Sequence, residues 1–264
     1  MCTVTIVPLG RPAPWPPGAA GFRLACNRDE ARTRPRALPP RPLRYGGRTA
    51  LVPTDGEEGG TWIAVSDAGL VMALLNRNAA GRAGDPGGTP GRPPSRGRVI
   101  PALLPSANLD EAIGLAEDLP LVRLAPFRLV LTDGREVGDL IWDGTRLAHH
   151  RGPWSGDPLL FTSSSLGDQV VVLPRRTLFR TLVAARGAAD LAAGQDLFHR
   201  HSWPDRPHLS VCMRRDDACT VSHSVIEVGP GEEARFLYYP DAPDSGVAPA
   251  IGTLVLRRGG GAAT

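Results

Sequence analysis

The chain has no lysine, few aromatic residues, and no apolar run approaching the roughly 20 residues a membrane-spanning helix needs. Its 30 basic residues are therefore all arginine, against 27 acidic ones, for a formal net charge of +3. With 31 glycines and 27 prolines alongside, the arginine content reads as compositional drift. A nucleic-acid binder concentrates basic side chains on one element and interleaves aromatics for stacking. Here the arginines are spread along the chain and aromatics make up 5%, so no nucleic-acid partner is expected. Membrane insertion is not expected either. Pro8, Pro12, Pro14, Pro16 and Pro17 fall where the apolar core of a signal peptide would run, which predicts a cytoplasmic protein. Cysteines number four: Cys2, Cys26, Cys212 and Cys219. Without an export signal they do not form a disulfide framework. Cys212 and Cys219 lack the short spacing of zinc ligands, and His149–His150 would point to opposite faces of a strand. Neither a metal nor a cofactor is expected.

What is present is a globular composition, 42% hydrophobic and 22% charged, enough for one domain over residues 1–258. The dominant pattern is β. Short β-branched or apolar runs at 3–7, 22–26, 49–52, 61–65 and 70–75 are bounded by Gly, Pro and Asp. Asp133–Gly134 and Asp143–Gly144 punctuate 127–132, 137–142 and 146–149 as a three-stranded meander. Further strands are expected at 159–162, 209–213, 220–228, 234–239 and 253–256. Helices are fewer. Asn108 caps a stripe of Leu109, Ala112, Ile113 and Ala116, a second helix is expected over 175–186, and 188–199 can form a third. Residues 79–97, rich in Gly, Pro and Arg, are expected to form a flexible surface loop, and 259–264 a disordered tail. Strands outnumber helices, which predicts an α+β fold with helices covering antiparallel sheets.

The start, Met1-Cys2-Thr3, carries the most chemistry. Removal of Met1 would leave Cys2 with a free α-amine. A thiol of reference pKa about 8.5 beside an amine of about 8 puts nucleophile and base on one residue. Ala25-Cys26-Asn27-Arg28-Asp29-Glu30 follows an apolar strand, and its Asn-Arg-Asp-Glu string resembles the pattern that names the NRDE family. Gly59-Gly60-Thr61-Trp62 resembles that family's GGTW segment. Gly69 to Asn76 resembles its apolar strand ending in Asn, and Thr220-Val221-Ser222 its late T-x-S element. The family includes the eukaryotic transport and Golgi organisation protein 2. The Met-Cys start and Leu-Asn strand end are also similar to the choloylglycine hydrolase and penicillin V acylase group, which are N-terminal-nucleophile (Ntn) amidases.

The resemblance implies a four-layer αββα sandwich with two mostly antiparallel sheets. It implies Cys2 as nucleophile, Asp29 holding the Cys2 amine, Arg28 as a charge partner, and Asn27 within the same catalytic string. Asn76, or the N–H beside it, would help form an oxyanion hole. In the amidase group a mid-chain Asn completes that hole, whereas the comparable place here reads Thr162-Ser163-Ser164-Ser165. Thr61, Trp62, Arg77, Ser163, Ser164, Arg214 and Ser222 are candidate binding residues. Other readings stand beside these: Asn27 to Glu30 as a solvated turn, Asn76 as a strand-end cap, Thr61 and Trp62 as turn and packing residues. Cys26, Cys212 and Cys219 read as core, Arg214 to Asp217 as a charged hairpin tip, and His223 as a satisfied polar residue. Arg28 and Asp29 share one site only if the strand has ended there. The expected partner is a small-molecule acyl or amide substrate. The alternative is a non-catalytic protein that binds or traffics an apolar ligand, haem or lipid and acyl-CoA, in a wide apolar cavity.

Overall fold

Among the described residues, thirteen strands pair into two antiparallel sheets stacked face to face. The computed structural model describes residues 2–9, 21–78, 94–229 and 233–257. In spatial order the first sheet carries Leu159–Thr162 (β10), Cys2–Leu9 (β1), Gly21–Ala31 (β2), Ala218–Val228 (β11), Glu233–Tyr239 (β12) and Ala250–Val255 (β13). The second carries Leu38–Tyr45 (β3), Arg48–Thr54 (β4), Ile63–Ser66 (β5), Val71–Asn76 (β6), Phe127–Thr132 (β7), Glu136–Trp142 (β8) and Leu147–Pro153 (β9).

Period-two alternation decides which side chains meet. Val4, Ile6, Leu24 and Cys26 of the first sheet pack against Ile63, Val65, Val71 and Ala73 of the second, all essentially inaccessible. Each such side chain contributes roughly 1.5–3 kcal/mol by leaving water. The outer faces are covered by helices. Val99–Leu103 (α1) and Leu109–Glu117 (α2) bury Ile100, Leu103, Ala112 and Ile113 on the second sheet. Asn108 caps α2 by accepting from Glu111 N at 2.9 Å, while Glu111 Oε2 accepts from Ala107 N at 2.7 Å, a reciprocal cap. Asp168–Phe179 (α3), a π turn over Arg180–Ala184, and Leu191–Arg200 (α4) pack Phe179, Val183 and Phe198 against Val7 of the first sheet. The result is the expected α+β order of helix, sheet, sheet, helix.

Several local expectations change. β3 was not foreseen because Pro39, Pro40 and Pro42 argue against a strand. It forms at the edge of its sheet, where missing N–H donors break no ladder. The strand expected at 209–213 does not form. Its polar groups go elsewhere: the Leu209 and Ser210 carbonyls accept from Arg175, Cys212 N donates to His201 O, and Met213 N donates to Thr220 Oγ1. The helix expected from 175 begins at Asp168 and runs through Pro174. The Asp-Gly meander is present as β7–β8–β9, with Gly134 at φ 86° and Gly144 at φ 102°. Residues 79–93 of the expected loop, and the tail from 259, lie outside the described residues. Residues 96–98 form a three-ten turn instead of open loop.

Candidate active site

Cys2 opens β1, opposite Arg28 of β2 in the antiparallel register, with Val4 opposite Cys26. Cys2, Cys26 and Arg28 therefore share the inner face of the first sheet. The Cys2 side chain is 95% shielded and sits at the wall of a cavity of about 240 Å³ between the sheets. Ser163, following β10, brackets its backbone. Ser163 Oγ accepts from Cys2 N at 3.1 Å, and Ser163 N donates to Cys2 O at 3.0 Å. The Cys2 thiol is pulled below its ordinary pKa, the neighbouring Cys26 thiol being the largest influence. Burial opposes that lowering, while the amino-terminal charge and Arg28 assist it. The proximity of Cys2 and burial drive Cys26 well up, and its S–H donates to Asn27 O at 3.7 Å.

Arg28 is held from three sides. It pairs with Asp55, reaches Glu30 Oε1 at 3.3 Å, and lies over the Trp62 ring at 4.4 Å. Arg34 shares the same carboxylate, with Nε at 3.0 Å and Nη2 at 2.8 Å from Asp55. Burial pushes the Asp55 carboxyl up, but Arg34, the Glu58 N–H and Arg28 more than offset it and keep it ionised. The Gly-Gly-Thr-Trp segment builds the adjoining wall. Gly59 turns the chain at φ 68°, and Gly60 lies against Gly97 so closely that a Cβ there would sit 2.7 Å from Gly97 Cα. Thr61 N donates to Gly97 O at 2.9 Å, and Thr61 Oγ1 donates to Ile63 O at 2.9 Å. Asn76 ends β6 on the same cavity.

β2 continues to Ala31, so alternation sends Asn27 and Asp29 to the outer face of the sheet. There Asn27 is fully buried. Its Oδ1 accepts from His199 Nδ1 at 3.0 Å and His223 Nδ1 at 2.7 Å, and its Nδ2 donates to the His199 and Val211 carbonyls. His199 Nε2 meets Thr5 Oγ1 at 2.7 Å, and Gln195 donates to the same hydroxyl at 2.8 Å. An acceptor shared by two imidazoles fixes Nδ1–H on both, and burial disfavours the charged form of each. Burial lowers His223 to about 3 and His199 well below its ordinary value. Asp29 accepts from Thr220 Oγ1 at 2.6 Å beside a register shift in β11. Burial raises its carboxyl, while Arg175, the amino-terminal charge and Thr220 work against that rise.

Arg175 was expected only as a helix residue. It is 99% shielded and donates to Thr3 Oγ1 (2.8 Å), Thr162 Oγ1 (2.7 Å), Leu209 O (2.9 Å) and Ser210 O (2.6 Å). It thereby ties the residues next to Cys2 and Ser163 to α3. The signal was there in Val171, Arg175 and Phe179, an arginine on an otherwise apolar stripe. The remaining candidates disperse. Arg77 is exposed, with its N–H donating to Pro126 O at 3.2 Å. Ser164 closes a turn with Asp168 and Leu166. Arg214 pairs with Asp244 at 2.6 Å, and Ser222 lines a separate cavity with Tyr238. No group of side chains able to hold a metal ion occurs among the described residues. Nor is any helix among them long and apolar enough to cross a membrane.

A family profile described as Transport and Golgi organisation 2 matches residues 1–150, more than half of the sequence. The chain belongs to that family. No curated protein matches it. Two solved structures share the fold of this Transport and Golgi organisation 2 family member. Penicillin V acylase from Agrobacterium tumefaciens is 13% identical, with a TM-score of 0.51, over 96% of this chain and 86% of its own. The Caenorhabditis elegans N-acylethanolamine-hydrolyzing acid amidase ortholog is 14% identical, also with a TM-score of 0.51, over 97% and 100%. These place the sandwich among Ntn-hydrolase folds.

Proposed function

We propose that the chain is an Ntn-type cysteine hydrolase or acyltransferase acting on a linear amide or related acyl bond. The observation that carries this reading is the Cys2 thiol at the cavity wall, with its pKa lowered by Cys26 and Arg28. Once Met1 is removed, the Cys2 nitrogen becomes the α-amine. Ser163 Oγ, already its acceptor, orients one N–H and leaves the lone pair for the thiol proton. The sulfur attacks the acyl carbon, and the carbonyl electrons move to oxygen, where the Asn76 amide donates. Collapse of this adduct breaks the C–N bond. The departing amine takes the proton held by the α-amine, leaving a thioester on Cys2. Water, or an acceptor amine, then attacks the thioester, and the α-amine returns a proton to sulfur.

Arg28 supplies a fixed positive charge beside the thiolate, and Arg175 holds Thr3 and Thr162 so that Cys2 and Ser163 keep their register. The ligand-handling alternative called for a wide apolar cavity. Arg28, Arg34, Arg96, Glu30, Asp55 and Glu58 all line this one, which favours the reaction over storage of haem or lipid.

Intact mass before and after exposure to activated esters and amides tests the reading, with Cys2→Ala as control. The expected result is loss of Met1 and an acyl adduct that disappears in Cys2→Ala. Retention of Met1, or a processed Cys2 inert to every probe, overturns it.

A further inference from the structure

We propose that Arg96 recognises a carboxylate on the substrate of the Cys2 cavity, so that this enzyme selects anionic acyl compounds. The proposal rests on the reading of Cys2 as nucleophile and adds the class of substrate.

Three arginines line the cavity, and two are spoken for. Arg28 and Arg34 converge on Asp55 and reach Glu30, and Arg34 also meets Glu57 at 2.8 Å. Arg96 differs. Nη1 donates to Pro126 O at 3.0 Å, and no carboxylate lies within ion-pair distance among the described residues. Burial lowers its pKa, and the Glu30 carboxylate followed by Cys2 act on it in the opposite sense without an ion pair forming, so Arg96 and Cys2 share one environment. A guanidinium has five N–H donors and no acceptor, and beyond the bond to Pro126 O no other hydrogen bond of its donors occurs among the described residues that line the cavity with it. On the same wall, the buried Trp62 indole N–H has no hydrogen-bond partner among the described residues. Unpartnered donors, one of them cationic, call for an anionic acceptor.

The backbone keeps Arg96 in place. Ser95 Oγ accepts from Gly97 N at 3.2 Å, and Gly97 is pinned to Gly60 and Thr61. A site held by backbone contacts loses little order on binding. The charge of the anion follows from the rest of the wall. Glu30, Asp55 and Glu58 also line the cavity, so a monoanionic carboxylate is tolerated where a dianionic phosphate is repelled.

The test uses matched 4-nitrophenyl esters, butyrate (neutral) and glutarate monoester (carboxylate-bearing), with a phosphate-bearing analogue as third arm. The readout is the second-order rate constant for Cys2 acylation and its ratio between esters. Wild type should favour the carboxylate ester, and Arg96→Gln should lower the carboxylate-to-neutral ratio about 10-fold, the worth of one charge-assisted hydrogen bond. Arg96→Lys should restore part of that ratio. An unaltered ratio in Arg96→Gln overturns the proposal, and a phosphate arm faster than the carboxylate arm overturns the assignment to carboxylate. If no ester acylates Cys2, the nucleophile reading fails on its own. Calorimetry with monomethyl glutarate then decides the Arg96 site. Binding lost in Arg96→Gln supports the site, and no binding to wild type overturns it.

Discussion

Mild acid should destabilise this fold well above the range in which carboxylates titrate, and the cause is the neutral imidazole pair around Asn27. His199 and His223 are both essentially inaccessible. Each is depressed in the folded state from an ordinary value of 6.5, His223 to about 3. A group whose folded pKa is lowered binds protons more readily in the unfolded chain. Stability is therefore complete above pH 6.5 and falls as the pH drops toward 3. Each histidine costs about 1.4 kcal/mol per pH unit in that window. At pH 5, the loss is about 2 kcal/mol per ring and about 4 kcal/mol for the pair, a large share of a typical 5–15 kcal/mol.

The assay is urea unfolding at half-unit steps from pH 7 to 4.5, comparing wild type with His223→Gln. The variant removes one titrating ring, so its loss between pH 7 and 5 should be smaller than that of wild type by about 2 kcal/mol. His201 is also lowered by burial and adds a loss of the same sign to wild type and variant alike, whereas the buried carboxylates do not mimic it. Asp55 is held below the usual carboxylate range and titrates beneath the window, while burial raises Asp29, so acid relieves it. Stability that stays flat from pH 7 to 5, or an unchanged slope in His223→Gln, would refute the neutral-pair reasoning.

Two further perturbations address the support around Cys2. Arg175→Ala strands the Leu209 and Ser210 carbonyls and leaves the Thr3 and Thr162 hydroxyls only each other, at 3.2 Å, and should cost about 3–5 kcal/mol by urea unfolding. A loss under about 1 kcal/mol would show that those groups find other partners. Cys26→Ala removes the neighbouring thiol that most lowers the Cys2 thiol, so the pH profile of Cys2 alkylation should move to higher pH. Cys26→Ser keeps a donor and should move less. An unmoved alanine profile would mean that Arg28 alone sustains the thiolate.

The sequence displayed the strands through their β-branched alternation and α2 through the Asn108 cap, because both are local patterns, while the four-layer sandwich followed only from the family resemblance. It concealed β3, since three prolines mask a strand whose edge position exists only once the sheet has formed. Residues 209–213 have a strand-like composition, yet their carbonyls are claimed by Arg175, a competitor 34 residues away. Of the candidate site, Cys2, Arg28, Thr61, Trp62 and Asn76 gather on one cavity. Arg96 was unreadable because a Gly/Pro/Arg-rich stretch gives no hint that this arginine reaches the cavity without an ion pair among the described residues. Cys26 was read as core, which its burial matches, but its pairing with Cys2 depends on the β1–β2 register.

That register also divides the Asn-Arg-Asp-Glu string into two functions. Alternation places Arg28 and Glu30 in the cavity, and Asn27 and Asp29 in the polar layer beneath the helices. A solvated turn would need none of these constraints. A strand buried on both faces needs a partner for every polar side chain, and here each has one. Asn27 is paired by two histidines and two carbonyls, Arg28 by Asp55, Glu30 and Trp62, and Asp29 by Thr220. The outer pair fixes where the strand lies, and the inner pair sets the charge that the Cys2 sulfur meets. Substitutions at Asn27 therefore act through stability and those at Arg28 through the reactivity of Cys2, although the two residues are neighbours in the chain.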